Sequence, residues 1–246
     1  MAPEHPPDDW PETQKILVIL AHPDDPEFFC GGTLARWARA GHCIEYVLLT
    51  CGEKGRNAHN QNIPGDELCA LRQQEERAAA AVIGVQTVRF LDNEDGMLVP
   101  DMNLRLEVVR IIRQMKPDVL VTCDPQNLFA SYGLNHPDHR AAGQVVLDAV
   151  FPGAGNDLFF PELIKEGLPP HMPREVWVAL TEQPNLVLDV SDTWPIKLQA
   201  LKEHKSQIGD PVKFEERMRK HHSPDSSDDD PRFEEVFRRV LYSQAH

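Results

Sequence analysis

Lys15-Ile16-Leu17-Val18-Ile19-Leu20-Ala21 runs directly into His22-Pro23-Asp24-Asp25. The apolar half shows no polar alternation, the pattern of a strand buried on both faces. The polar half breaks that pattern at once. Outward from this point the chain alternates. Phe29 to Ala40 has helical spacing and stops near Gly41. Cys43 to Thr50 predicts a second strand. Asp66 to Ile83 predicts a helix, with Leu68, Leu71, Glu75, Ala78 and Val82 near a 3.6-residue period and Gly84 as its stop. Thr87 to Leu91 is a short third strand. Leu104, Val108, Ile111, Ile112 and Met115 stripe the next helix, which Pro117 ends. Asp118 to Cys123 is a fourth strand, and Pro137 suits the first turn of a helix to about Val150.

This alternation predicts an α/β fold, a mostly parallel, doubly wound sheet with helices on both faces. Residues 151–174 are rich in proline and glycine and read as an irregular excursion, either a lid or an interface. Glu175 to Leu180 and Leu186 to Val190 predict two more strands, and Asp192 to His204 a helix. The acidic stretch His221 to Pro231 reads as a flexible loop, and Arg232 to Tyr242 as a last helix. The expectation is one domain over residues 1–246, with its core at about 15–208.

Composition narrows the function. The chain has 246 residues, 41% hydrophobic and 26% charged, enough for an ordinary globular core. The net charge of −14 argues against a nucleic-acid partner, since phosphate contacts demand a basic face. No apolar stretch approaches the roughly 20 residues of a membrane span. Met1 to Pro11 lacks the basic start and apolar core of a signal peptide, so a cytoplasmic location is expected. The five cysteines include no C-x-x-C pair and are expected as reduced, buried thiols. Nothing in the pattern excludes a homo-oligomer.

Two clusters carry chemistry. Ala21-His22-Pro23-Asp24-Asp25 follows the first strand, and His136-Pro137-Asp138-His139 follows the fourth. Doubly wound sheets bind ligands beyond the carboxyl ends of strands where strand order reverses. With the order 3-2-1-4, both clusters would meet in one crevice. Imidazole and carboxylate are the usual ligands of catalytic zinc, which takes three protein ligands and leaves a position for water. His22 and Asp25, three apart on a turn, can face one ion, and His139 can supply the third ligand. Asp24 and His136 then remain as acid–base groups. Zinc lowers the pKa of its water to about 7, and a neighbouring carboxylate can take the proton. Asp138 is expected to orient His136 and favour its charged form, so that activity falls at high pH as His136 deprotonates. A lone His-Pro-Asp is unremarkable, because Asp before a helix is a good cap. Two such clusters at the ends of predicted parallel strands are a stronger signal.

With these motifs the chain resembles the LmbE/PIG-L family of zinc-dependent N-acetylglucosaminyl deacetylases. The family signature is A-H-P-D-D-E after the first strand and a later H-x-D-H, here Ala21-His22-Pro23-Asp24-Asp25-Pro26-Glu27 and His136-Pro137-Asp138-His139. Similarity runs from about Lys15 to Ile208. It includes Thr50-Cys51-Gly52-Glu53, the Arg72 to Glu76 helix start, Asp95-Gly96 and His204-Lys205-Ser206-Gln207. The resemblance implies a Rossmann-like fold, one zinc ion or other divalent metal per chain on His22, Asp25 and His139, and Asp24 as general base. It further implies His136 as the electrophilic or acid histidine, supported by Asp138. The implied reaction releases acetate from an N-acetylated small molecule, such as one containing N-acetylglucosamine. Pro26 departs from the family's usual glutamate. The family also holds amidases on other amides, so the resemblance carries no substrate identity.

Weaker features remain. Arg56, on the loop after the second strand, is a candidate for binding a polar substrate. Asp95 is a candidate sugar-hydroxyl contact, although Asn93-Glu94-Asp95-Gly96 is also plain turn chemistry. His204 either approaches the site or caps its helix end, the second being the plainer reading, and Cys30 reads as core. Two other classes compete. A ferrous oxygenase also uses two histidines and a carboxylate but needs oxygen. A metal-stabilised binding protein would not need Asp24 and His136 beside the ion. A nucleotide-binding protein is disfavoured because the first βα turn lacks G-x-G-x-x-G.

Overall fold

Why the opening strand is apolar throughout is plain from its surroundings. In the computed structural model, which describes residues 8–130, 133–227 and 229–242, Ile16, Val18 and Leu20 of β1 (Lys15–Leu20) enter one core and Leu17 and Ile19 the other. The chain continues through α1 (Asp25–Arg39), β2 (Cys43–Thr50), α2 (Gly65–Ile83), β3 (Thr87–Asn93), α3 (Met102–Met115) and β4 (Val119–Cys123). A short antiparallel pair, β5 (Phe129–Ala130) and β6 (Gly133–Leu134), leads to α4 (Pro137–Asp148) and a π-helical turn (Ala149–Ala154). Then follow α5 (Pro161–Lys165), β7 (Glu175–Ala179), β8 (Leu186–Asp189), α6 (Trp194–Leu201), α7 (Lys205–Ile208), α8 (Pro211–Arg219) and β9 (Glu234–Leu241).

The large sheet has the order β3-β2-β1-β4-β7-β9-β8. Pairing is parallel from β3 to β7 and antiparallel at β7–β9 and β8–β9. The expected 3-2-1-4 order is therefore observed, with β1 and β4 adjacent at the reversal (Ile16 opposite Val119). One face carries Leu34, Trp37, Ala79, Leu198 and Phe214 from α1, α2, α6 and α8. The other carries Leu104, Val108, Val145 and Val146 from α3 and α4. Caps follow ordinary rules: Asp101 accepts from the amides of Asn103 and Leu104 at the start of α3, and Gly84, at φ 105°, ends α2.

Two expected elements are corrected. First, α1 begins at Asp25 rather than Phe29, so the His22–Asp25 turn runs straight into the helix. Second, Arg232 to Tyr242 is a strand, not a helix. Phe233, Glu235 and Phe237 alternate inward with period two, while Val236 and Arg238 face out. The sequence fits a helical stripe as well; the slot between β7 and β8 decides. The sheet thus draws on residues as far as Leu241, well past residue 208. Of the acidic stretch, Asp228 lies outside the described residues; around it Ser227 bridges Asp230, and the Ser223 amide donates to the Arg232 carbonyl at 2.6 Å. Of the N-terminal stretch, residues 1–7 lie outside the described residues, while Trp10 packs 5.3 Å from Trp37.

The excursion after α4 is organised by Arg113. This buried arginine reaches from α3 and donates to the carbonyls of Gly153, Ala154, Asn156 and Phe159. A segment without a ladder of its own satisfies its backbone acceptors this way. Cys51 and Cys69 form a disulfide, against the expectation of reduced thiols, while Cys30 and Cys123 are buried and free as expected and Cys43 is exposed. No helix among the described residues is long and apolar enough to cross a membrane.

Candidate active site

The site forms where β1 and β4 end side by side. His22 and Asp25 come from the β1–α1 turn, and His139 from the first turn of α4. All three are buried. His22 Nδ1 lies 3.3 Å from His139 Nε2, which lies 3.0 Å from Asp25 Oδ1, and Asp25 Oδ2 is 3.5 Å from His22 Nδ1. These are the separations of neighbouring ligands about an ion held at roughly 2.0–2.2 Å. Over a hundred residues of chain are folded between the two halves of this triangle, and the parallel β1–β4 pairing closes it.

The surrounding groups settle which ring nitrogens point inward. His22 Nε2 faces Asp138 Oδ2 and Asp95 Oδ1, each at 3.2 Å, so that nitrogen carries the proton and Nδ1 is left for a metal. His139 Nδ1 lies 2.8 Å from Asn135 Oδ1, which leaves Nε2 facing the centre. Ligand histidines that donate their other N–H to an oxygen acceptor are held in tautomer and orientation. Asp25 Oδ2 accepts from the amides of Ala21 and His22. Burial works against charge on His22, yet Asp138, Asp25 and Asp95 outweigh it and raise its pKa well above the ordinary histidine value. The same partners act in reverse on Asp95: burial would raise its carboxyl, but His22 and the Lys54 amide bring it down to about 2. The donor set and its concentration of carboxylates fit a divalent cation.

Asp24 stands beside the triangle, with its side chain 16% exposed. Its backbone is left-handed, φ 90°. Burial raises its carboxyl above the usual carboxylate value, against the opposing pull of Arg72 and His204. The higher proton affinity suits a general base. His136 closes the other side, its ring 4.6 Å from that of His22 and edge-on to it.

Here the expected support differs from what is found. The Asp138 carboxylate does not hold His136. It faces His22 and accepts from the amides of Gly96 and Leu98. His136 Nδ1 instead accepts from the backbone amide of Asp138, as the cap of α4. Its pKa lies below the ordinary histidine value, through burial and the neighbouring His22 and His139, which outweigh Asp138. A neutral His136 ring, its Nδ1 already an acceptor, carries its proton on Nε2 and donates without needing charge. Asp95, expected to meet substrate, is buried against His22 and accepts from the Lys54 amide. Arg56 is exposed and donates to the Ile63 carbonyl.

The arginine that reaches the site is Arg72, which sequence reading marked only as part of a helix start. Its guanidinium donates to the carbonyls of Pro23 and Gly52 and approaches Asp24 Oδ2 at 3.3 Å. Gly52 is required there: its φ is +69°, and a Cβ would strike the guanidinium. Asn135 was also missed. Its spacing from His139, four residues across a helix start, was the only available signal.

The family model described as PIG-L, GlcNAc-PI de-N-acetylase, matches residues 17–150, more than half of the chain. The chain belongs to the PIG-L family. The diacetylchitobiose deacetylase of Thermococcus kodakarensis is 34% identical over 202 residues, 82% of this chain and 73% of that one. The N,N'-diacetylchitobiose deacetylase of Pyrococcus horikoshii, solved with its inhibitor MPG, superposes with a TM-score of 0.83 at 29% identity, over 94% of this chain and 85% of that one. The 4-carboxy-2-hydroxymuconate hydratase GalB of Pseudomonas putida shares the fold, with a TM-score of 0.74 at 20% identity, over 95% of this chain and 99% of that one. That likeness concerns architecture alone. As a PIG-L member the chain is a hydrolase of carbon–nitrogen amide bonds in a metal-dependent family, which decides against the oxygenase and the non-enzymatic readings.

Proposed function

We propose that this chain removes the N-acetyl group from an N-acetylglucosamine-containing small molecule, with zinc on His22, Asp25 and His139. One observation carries the reading: the triangle of His22, Asp25 and His139 has a carboxylate, Asp24, on one flank and an imidazole, His136, on the other. Relatives named as deacetylases of diacetylchitobiose and of N-acetyl-α-D-glucosaminyl L-malate supply the substrate class. When bound, the metal supplies an activated water and polarises the amide carbonyl. Asp24 takes the proton from the attacking water as its oxygen bonds to the carbonyl carbon. His136 donates its Nε2–H to the oxyanion that develops there. Asp24 returns the proton to the nitrogen, the C–N bond breaks, and acetate and the free amine leave. Asp138 and Asp95 hold His22, and Asn135 holds His139.

The test is acetate release from a panel of N-acetylated sugars, with and without chelator. Release from at least one N-acetylglucosamine compound, abolished by chelator and restored by zinc, is expected. Release from none, or undiminished release after metal removal, would sink the reading. A cytoplasmic setting and a single 1–246 domain remain part of this proposal. The Cys51–Cys69 bond pulls the other way on location, because disulfides are uncommon in the cytosol. Thiol titration of the protein isolated under alkylating conditions decides between them.

A further inference from the structure

Beneath Asp24 lies a second polar cluster that the proposed chemistry does not use. Glu27 from α1, Glu76 from α2 and His204 from the turn before α7 have no exposed surface at all. His204 Nε2 is 3.2 Å from Glu27 Oε2 and 3.9 Å from Glu76 Oε2. Burying two carboxylates and an imidazole is costly unless each is paired, and apolar residues of like volume often serve stability as well or better. The direction of the contacts suggests why they are kept. Glu76 Oε2 accepts the backbone N–H of Asp24 at 2.8 Å. One turn earlier on the same helix, Arg72 takes the Pro23 carbonyl at 2.7 Å. Helix α2 therefore grips both polar atoms of the peptide group that joins Pro23 to Asp24.

The backbone of Asp24 needs such a grip. It is held at φ 90°, a conformation that strains a non-glycine residue and persists only where its surroundings over-determine it. The support is itself braced. Glu75 accepts the Ser206 amide and hydroxyl, both at 2.7 Å, which pins α7 to α2 and brings His204 under Glu76. His204 thus both stands at a helix end, before α7, and lies close to the site, the two readings its sequence position allows.

We propose that Glu76, braced by His204 and Glu27, is a positioning residue that fixes the main chain of Asp24 and so aims its carboxylate at the attacking water. The inference rests on Asp24 being the general base. It specifies reach rather than charge: a hydrogen-bond acceptor must stand at the end of a side chain of glutamate length. A displacement of about 1 Å at a catalytic group costs on the order of 10²-fold in rate.

The experiment compares Glu76→Gln, Glu76→Asp and Glu76→Leu in the full-length, zinc-loaded enzyme, with Asp24→Asn as reference, measuring kcat, KM, zinc content and thermal unfolding. Glu76→Asp and Glu76→Leu are expected to lose kcat by roughly 30- to 100-fold, with KM changed by less than about threefold and zinc retained. Glu76→Gln, which keeps the acceptor at full reach, is expected to recover most of that loss. If charge or packing were the role, the order would invert, Glu76→Asp being mild and Glu76→Gln severe, and the proposal would fall. It also falls if Glu76→Asp turns over at the wild-type rate. Should Glu76→Leu not fold, the Asp and Gln variants alone still decide. A second equivalent of zinc lost with Glu76→Gln would make the cluster a metal site and overturn the positioning role. A wild-type rate in Asp24→Asn would instead overturn the assignment of the base itself, which separates the two failures.

Discussion

At the scale of single residues, the chemistry rests on which atoms face inward. His22 and His139 each hold one nitrogen toward the triangle and tie the other to an oxygen acceptor. Replacing either by alanine is expected to abolish stoichiometric zinc binding while the fold survives, checked by metal analysis alongside circular dichroism; full zinc in both variants would refute the ligand set. Changing Asn135 to alanine is milder, about 10- to 100-fold in metal affinity, because the ligand stays and only its orientation loosens. For His136 the sign follows from its lowered pKa. A histidine below the ordinary value of about 6.5 is already neutral through neutral and basic pH. Its donor role then has nothing to lose on the basic side. His136→Ala is therefore expected to turn over about 10²- to 10³-fold more slowly, the usual effect of removing one oxyanion donor, with the basic limb of the pH–rate profile unmoved. Disappearance of that limb in the variant would show that a charged imidazole is needed after all.

Among the elements, β9 does the least expected work. Its Glu235 is buried and paired with the equally buried Lys197 of α6 at 2.7 Å. The same carboxylate accepts the amides of Gly32 and Thr33, just past Cys30, where α1 departs from helical geometry at φ −148°. Three elements thus converge on one side chain, and the helix carrying Asp25 is one of them. Glu235→Ala leaves Lys197 charged, buried and unpaired, a situation that typically costs about 3–5 kcal/mol. Chemical denaturation should show a midpoint lowered accordingly; a shift under about 1 kcal/mol would mean that Lys197 escapes to solvent. The strands and helices around β1 were readable because their periods are local. For β9 the sequence Phe233 to Leu241 satisfies both a period of two and a helical stripe, and only a free sheet edge between distant strands selects one.

Across the whole molecule, the disulfide joins the end of β2 to the second turn of α2, beside the point where Arg72 reaches Gly52 and Pro23. With its cysteines 18 positions apart in sequence, the bond closes a loop of a size for which cross-linking contributes about 2–4 kcal/mol. The Cys51→Ser, Cys69→Ser double variant should unfold at a correspondingly lower denaturant concentration than the oxidised protein and match the reduced one; equal midpoints for all three would mean that the bond adds nothing. Readable from the sequence alone are the order of elements from β1 to β4 and the two clusters from which His22, Asp25 and His139 come together. Both follow from short-range pattern: unbroken apolar runs, and chemically distinctive side chains placed directly after them. Where polar groups without a local partner find one depends instead on how distant elements pack. Asp138 turned to His22 rather than to its neighbour His136, Arg56 stayed on the surface while Arg72 reached Asp24, and His204 came to lie under the site from the far end of the chain. A buried charge takes whatever partner the packing of distant elements brings within about 3 Å. No periodicity in the sequence encodes that meeting.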